Sequence, residues 1–202
     1  MSSFFIVFSL VFLVLNLALF IFLHIKNPKY SLLSNAVSDY AIGETSRIFI
    51  FYAISSIVAY LLLGVGLLQN EVIFRSLKTL VLCFAVAVLR LGLMLFKTDI
   101  EGTKLTRKGF IHYFFAILSF AAVYMFINSS ADELMAHQQF QQLQTVVSAY
   151  TNIFTIVLVL VCVTMIPKLR KYFGIFERIF LLMGLVWVGF MAIIMLSERF
   201  VS

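Results

Sequence analysis

Residues 96–113, FKTDIEGTKLTRKGFIHY, form a short charged connector between two long apolar runs. Asp99 and His112 lie within this connector, and Arg90 lies inside the apolar run that precedes it. A helix rises 1.5 Å per residue, so an apolar run of about 20 residues spans a hydrocarbon core of about 30 Å. The stretch therefore predicts a loop between two membrane-spanning helices, with ionisable residues gathered at the membrane boundary.

The composition extends this interpretation to the whole chain of 202 residues, which is 63% hydrophobic and only 12% charged. Soluble domains are about half apolar and a quarter charged, so the composition indicates an integral membrane protein. The net charge of +6 is distributed over short loops rather than one face or tail, which argues against nucleic acid as a partner. No linker or repeat divides the chain, and residues 1–202 are predicted to form one domain.

Six apolar runs are long enough to cross a bilayer. Only helices or closed barrels satisfy their backbone hydrogen bonds in lipid, and barrel strands would be about half as long with alternating polarity. The predicted fold is therefore all-α, a polytopic membrane protein with six transmembrane helices in one bundle. The predicted helices cover residues 3–24, 47–68, 77–96, 110–128, 146–166 and 179–197.

Lysine and arginine residues are distributed unevenly among the connectors. Connectors 1, 3 and 5 are rich in them, with Arg178 assigned to connector 5, whereas connector 2 offers only Arg75 and Lys78 and connector 4 offers none. Basic residues are enriched in cytoplasmic loops, so connectors 1, 3 and 5 are predicted to be cytoplasmic, with the N- and C-termini outside.

The first connector has a helical pattern of its own, because apolar and polar positions alternate with helical spacing. This pattern predicts a short interfacial helix over about residues 28–42, on the cytoplasmic side between helices 1 and 2. Two interpretations remain open: its polar face is solvated at the lipid surface, or that serine-rich face closes over a pocket. The polar face consists of Ser31, Ser34, Asn35, Ser38 and Asp39.

On the outer side, Ser130 and Glu133 have the spacing of a capping box. This spacing predicts that the fifth helix starts near Ala131 and projects beyond the membrane as a glutamine-rich extension. Such an extension could dock a partner, so a structural subunit of a membrane complex is one alternative function.

Arg90 is the charge that lies deepest in an apolar run, about 9 Å from the predicted helix end. A central arginine costs on the order of 3 kcal/mol on insertion scales. Its side chain either extends to the nearer surface or points into the protein, and the tilt of helical side chains toward the N-terminus favours the inward direction. The candidate partners are Asp39, Asp99 or a lipid phosphate.

These residues predict a cytoplasm-facing polar pocket. Its candidate ligand-binding residues are Arg90, Ser31, Ser34, Ser38 and Asp39. Asp99 and His112 are candidate catalytic residues of a membrane-embedded hydrolase or transferase, with a divalent metal ion as an alternative cofactor that needs at least three ligands; otherwise no cofactor is predicted. The simpler alternatives are a hydrogen bond from His112 to the backbone and a salt bridge from Asp99 to Lys97 or Lys104.

Four segments carry a family resemblance: NPKYSLLSNAVSDYAIG at residues 27–43, RLGLMLFKTDIEG at 90–102, IHYFFA at 111–116 and FGIFERIFLLMGLVWVGFMA at 173–192. Together they resemble the prokaryotic membrane family catalogued as domain of unknown function 998 (DUF998). The resemblance implies a multi-pass protein of the prokaryotic cytoplasmic (inner) membrane whose activity is not established.

The prediction is an integral membrane protein of uncharacterised function whose pocket binds a lipid headgroup or a similar amphiphile. Membrane lipids are the predicted partners, with a membrane protein or a second copy of the chain as further candidates. The sequence leaves open whether the protein is an enzyme.

Overall fold

The computed structural model describes residues 2–69, 73–99 and 104–197, and within these ranges all regular structure is helical. These ranges contain six α-helices and four short 3-10 helices, and all six α-helices are long and apolar enough to cross a membrane. The all-helical fold and the six predicted spans are therefore confirmed. The helices are α1 (Ser2–Lys26), α2 (Ser46–Leu68), α3 (Leu77–Leu95), α4 (Arg107–Met135), α5 (Gln144–Thr164) and α6 (Phe173–Ser197).

Helices that follow one another in the chain pack against each other, and α6 also contacts α1 and α4. Connectors 1, 3 and 5 meet at one end, here called the odd-connector end. Lys97 of connector 3 donates a hydrogen bond to the Ser46 hydroxyl at the start of α2 (3.1 Å). At the same end, Arg170 of connector 5 donates to the Tyr113 hydroxyl of α4 (3.1 Å).

Apolar side chains fill the space between the helices and also cover their outer faces. Trp187 is only 3% exposed, and its indole N–H donates to the Ser130 hydroxyl (2.8 Å), as a buried indole requires. Val14, Leu77 and Val88 are among the large apolar side chains that remain exposed on the outside. Such a surface suits a lipid environment, because hydrocarbon solvates it without cost.

The predicted start of the fifth helix near Ala131 is wrong. α4 continues to Met135, and α5 begins only at Gln144. Glu133 caps a different helix: one carboxylate oxygen accepts the backbone N–H of Ser76 (2.8 Å), the N-cap residue of α3, and the other contacts the Thr79 hydroxyl. The acid thus stabilises the N-terminus of a neighbouring helix, which the local spacing could not reveal.

The first connector forms turns and two short 3-10 helices, Val37–Ala41 and Gly43–Thr45, instead of one helix over residues 28–42. The Asp39 carboxylate accepts the backbone N–H of Ala36 and the side-chain amide of Asn35, both at 3.0 Å, so helical structure starts only after Asn35. Gly43, the first residue of the second short helix, adopts φ 70°, a conformation that glycine tolerates. Val37, Tyr40 and Ala41 are buried against α1 and α2.

Candidate functional site, a polar cavity at the odd-connector end

A cavity of about 110 Å³ lies at the odd-connector end, between connector 1 and helices α2, α3, α4 and α6. Two of the ligand-binding residues predicted for connector 1, Ser38 and Asp39, lie in its wall. The ionisable side chains that line it are Asp39, Tyr52, Arg90, His112, Tyr113, Arg170 and Glu177.

Arg90 points into the protein. Its guanidinium carbon lies 4.9 Å from the centre of the Tyr60 ring, a cation–π contact with a residue four helical turns inside α2. Arg90 forms no hydrogen bond or ion pair with any residue in the described ranges, so neither Asp39 nor Asp99 is its partner there. Arg90 is half-buried. A cation that is partly removed from water with only a ring as its partner is costly, and its donors remain available to a ligand.

Three hydroxyl groups in the cavity wall belong to side chains that are almost fully buried: Tyr52, Ser56 and Ser119. Their side-chain hydroxyls make no hydrogen bond to another residue of the described part of the chain. None of the three oxygens is among the fully enclosed side-chain atoms that have no partner in the described ranges, which is consistent with their opening onto the cavity. The cavity therefore presents hydrogen-bonding groups that water or a ligand can satisfy.

His112 also lines the cavity and is 3% exposed. Its Nδ1 lies 2.6 Å from the Phe96 carbonyl oxygen at the end of α3. This geometry assigns the proton to Nδ1 and leaves Nε2 as an acceptor. The backbone hydrogen bond foreseen as the simpler role of His112 is confirmed, and the ring ties α4 to α3.

Asp99 does not line the cavity. Its two carboxylate oxygens accept the backbone N–H and the hydroxyl of Thr106, each at 2.7 Å. Thr106 in turn accepts the Gly109 N–H (3.1 Å) as the N-cap of α4. Asp99 therefore organises the start of α4, and the structure brings it neither to His112 nor to Lys97 or Lys104 within the described residues.

The serines predicted for the pocket separate into two groups. Ser38 lines the cavity next to Asp39. Ser31 instead closes an exposed turn, where its hydroxyl accepts the N–H groups of Leu33 and Ser34. Ser31 and Ser34 are not part of the cavity wall, because the connector turns there instead of continuing as a helix.

The sequence pattern places Arg178 with the basic residues of connector 5, which orient the protein in the membrane, and does not predict its structural role. The structure extends α6 back to Phe173, which places Arg178 inside the helix with only 5% of its surface exposed. Its Nε donates to His24 Nε2 (2.8 Å), and one Nη donates to the carbonyls of Asn35 (2.6 Å), Gly174 (2.9 Å) and Leu32 (3.3 Å). Arg178 thereby fastens connector 1 to α6.

Glu177 holds the same connector one residue earlier in α6. One of its carboxylate oxygens accepts the Val37 N–H at 2.6 Å. Gly174 completes the arrangement, because a Cβ atom there would lie 2.4 Å from the Asn35 carbonyl oxygen. We call these three residues, Gly174, Glu177 and Arg178, the α6 clasp. In the sequence, the adjacent acid and base inside the apolar run FGIFERIFLL are the signal that could have indicated a buried role for these two residues.

A divalent metal ion would need at least three ligands. Within the described ranges, no group of three or more His, Cys, Asp or Glu side chains is placed to hold one. Asp99 and His112 supply ligands at separate places, and Asp39 is engaged with Asn35 and Ala36. Burial raises the pKa of the Asp39 carboxyl above its usual value, although those two donors and nearby arginines oppose the shift. A metal cofactor stays a prediction.

Comparison with known proteins gives a family but no activity. A family model described as protein of unknown function (DUF998) matches residues 10–194, a range that includes parts of α1 and α6 and everything between them. Among the curated proteins and the solved structures, nothing matches the chain.

Proposed function

The chain belongs to the DUF998 family, whose function is unknown, and from this premise we propose that it binds the anionic headgroup of an amphiphile in the cavity at the odd-connector end. The observation that carries the proposal is the Arg90 guanidinium, which lies in the cavity wall with the Tyr60 ring as its contact. Arginine presents a planar fork of donors that matches a phosphate or carboxylate.

The energetic argument concerns the cost of an arginine in this position. A charged side chain away from water is destabilising unless hydrogen-bonded groups of opposite charge surround it. An anion in the cavity would supply them, and the hydroxyls of Tyr52 and Ser56 lie in the same wall. Arg90 is thus better explained as part of a binding site than as part of the packed interior.

The apolar part of the wall supports an amphiphile over a small anion. Phe49, Leu93, Phe120, Phe173 and Leu181 line the cavity together with the polar groups. Ligand sites commonly combine an apolar lining with a few polar groups that fix orientation. A lipid satisfies both requirements at once, since its headgroup reaches the polar wall while its alkyl chains remain among apolar side chains.

The first test is the substitution Arg90→Ala. We expect the variant, purified in a mild non-ionic detergent, to retain less phospholipid than the wild-type protein. A charge-assisted hydrogen-bond pair contributes about 2 kcal/mol, so the affinity for a phosphate headgroup should fall about 30-fold. Native mass spectrometry of the retained lipid, followed by titration with phosphatidylglycerol, measures this loss.

Two control substitutions separate binding from general charge effects. Lys97→Ala removes a cation at the same end but outside the cavity, and Asp99→Asn changes a carboxylate that serves α4. Both variants should retain the lipid at nearly the original level. If the Arg90→Ala variant retained as much lipid as the wild-type protein, the proposed function would be refuted.

We further propose that the six helices form a single bundle and that the odd-connector end faces the cytoplasm of a prokaryotic cell, with both termini outside. The assignment of Arg178 to the α6 clasp removes one topology charge, yet Lys168, Arg170 and Lys171 remain in connector 5. Connector 4 still carries no lysine or arginine. The imbalance that orients multi-pass proteins is therefore preserved.

Orientation is testable with single cysteines introduced after Cys83 and Cys162 have been replaced by alanine. Lys104→Cys lies in connector 3 and Gln142→Cys lies in connector 4, and both positions are exposed. In intact cells, an impermeant thiol reagent should label the cysteine at position 142 and leave that at position 104 unlabelled until the membrane is opened. The reverse labelling pattern would contradict the orientation.

The remaining alternatives receive less support from the geometry. A hydrolase or transferase based on Asp99 and His112 needs the two side chains in one site, whereas Asp99 caps α4 and His112 lines the cavity. A structural subunit that docks through the segment after Ala131 stays a prediction, although residues up to Met135 belong to α4.

A further inference from the structure

We propose that the headgroup bound in the cavity is zwitterionic, with its anion at Arg90 and an ammonium group at an acidic wall formed by Asp39 and Glu177. This inference rests on the proposed function and specifies its ligand. It assigns a role to two buried carboxylates that anion binding alone does not explain.

Of the two carboxylates, Glu177 gives the stronger support for a cation in the cavity. Its side chain lines the cavity and is 6% exposed, and only one of its oxygens, the acceptor of the Val37 N–H, has a hydrogen bond to a described residue. The adjacent Arg178 does not neutralise it by contact, because the guanidinium donates to His24 and to backbone carbonyls. The second oxygen of this buried carboxylate is therefore available to accept a hydrogen bond from an ammonium group, which would offset the cost of burying the charge.

Asp39, on connector 1, is likewise a buried carboxylate with only one oxygen engaged in hydrogen bonds to described residues. The side chain lines the cavity and is 9% exposed. One oxygen accepts both Ala36 N–H and the Asn35 amide, and the other has no hydrogen bond within the described ranges. Two carboxylates from different elements thus face the same space, each with one oxygen free to accept a hydrogen bond.

The two charged walls belong to one cavity rather than to separate sites. Arg90 comes from α3, whereas Glu177 comes from α6 and Asp39 from connector 1. Tyr52 of α2 lines the same cavity as Arg90 and Glu177. A headgroup that carries a phosphate and a primary amine two carbons apart combines both charges in one small group, as a cavity lined by Arg90 and by the two carboxylates requires. Phosphoethanolamine is the simplest chemical class of this kind.

The test compares two lipids with the same acyl chains and the same phosphate. Phosphatidylethanolamine carries the ammonium group, and phosphatidylglycerol carries an uncharged glycerol in its place. We expect the purified wild-type protein to bind phosphatidylethanolamine about tenfold more tightly, the effect of one charge-assisted hydrogen bond. Competition between the lipids, read by native mass spectrometry, gives the ratio directly.

The substitution Glu177→Gln keeps an acceptor for the Val37 N–H and removes the charge, so it should abolish the preference. Asp39→Asn should lower the preference independently, which keeps the test decisive if one variant fails to fold. Glu44→Gln removes an exposed carboxylate outside the cavity at the same end and should leave the ratio unchanged.

The outcomes distinguish this inference from the proposed function. Suppose that Arg90→Ala weakens the binding of both lipids, but that the wild-type protein and the two acidic-wall variants have the same ratio of affinities for phosphatidylethanolamine and phosphatidylglycerol. The anion site is then supported and the zwitterionic ligand is refuted. If Arg90→Ala weakens neither lipid, the proposed function itself fails. Glycerophosphoethanolamine, which lacks acyl chains, should compete poorly; equal competition would keep the zwitterion and replace the lipid by a soluble headgroup.

Discussion

Replacement of Arg178 by alanine is expected to release connector 1 from α6 and to lower the stability of the protein by on the order of 3 kcal/mol. The substitution leaves the Leu32 and Asn35 carbonyls, at partly buried positions, without their donor, and an unsatisfied group shielded from water costs about 1–3 kcal/mol. His24 also loses the donor to its Nε2, while its Nδ1 remains 2.6 Å from the Phe20 carbonyl. Thermal unfolding in detergent should show an apparent Tm lower by on the order of 8 °C.

A second readout locates the effect. Backbone amides of residues 35–41 should exchange with deuterium faster in the Arg178→Ala variant, because this segment is the part that the clasp holds. Arg178→Lys should be intermediate, since an ammonium cannot reach His24 and both carbonyls in the same geometry. Lys171→Ala, an exposed cation at the same end, serves as the control. An Arg178→Ala variant with wild-type Tm and exchange would disprove the clasp.

The second large effect is expected for Gly174→Ala. The added Cβ would lie 2.4 Å from the Asn35 carbonyl oxygen and 3.0 Å from that of Leu32, so two backbone atoms would have to move. Overpacking of this kind typically costs about 1–3 kcal/mol. Because connector 1 also supplies Ser38 and Asp39 to the cavity wall, headgroup binding should weaken along with the Tm.

Gly189→Ala provides a matched control on the same helix. A Cβ at position 189 meets nothing within 4 Å, and alanine is favoured over glycine in a helix interior by about 1 kcal/mol. The control should therefore raise the Tm slightly and leave lipid binding unchanged. If the two glycine substitutions behaved alike, the close approach of connector 1 to α6 would be refuted.

The sequence predicted the helices well because hydrocarbon imposes a simple rule on any chain that crosses it. Runs of apolar residues must be helical and long enough to span, and all six predicted spans are present with ends displaced by several residues at most. The inward direction of Arg90 also followed from local geometry, since helical side chains tilt toward the N-terminus. Neither inference needed a contact between distant residues.

The sequence failed where a local pattern had a distant partner. Ser130 and Glu133 matched a capping box, but Glu133 caps the N-terminus of α3, which lies more than fifty residues earlier in the chain. Asp99 and His112 lie close together in the sequence. However, Asp99 accepts hydrogen bonds from Thr106, whereas His112 lines the cavity and contacts the Phe96 carbonyl. Side-chain hydrogen bonds are satisfied by whichever group the fold brings near, and spacing alone does not contain that information.

The sequence by itself determined the class of protein, the six spans and the end at which basic residues gather. These features follow from hydrophobicity and charge, which act on each segment separately. Only the tertiary structure decided which polar residues share the cavity and that Arg178 is a clasp rather than a topology charge. Those assignments depend on how connector 1 folds back between the helix ends, and this arrangement comes from contacts between residues 32–37 and α6.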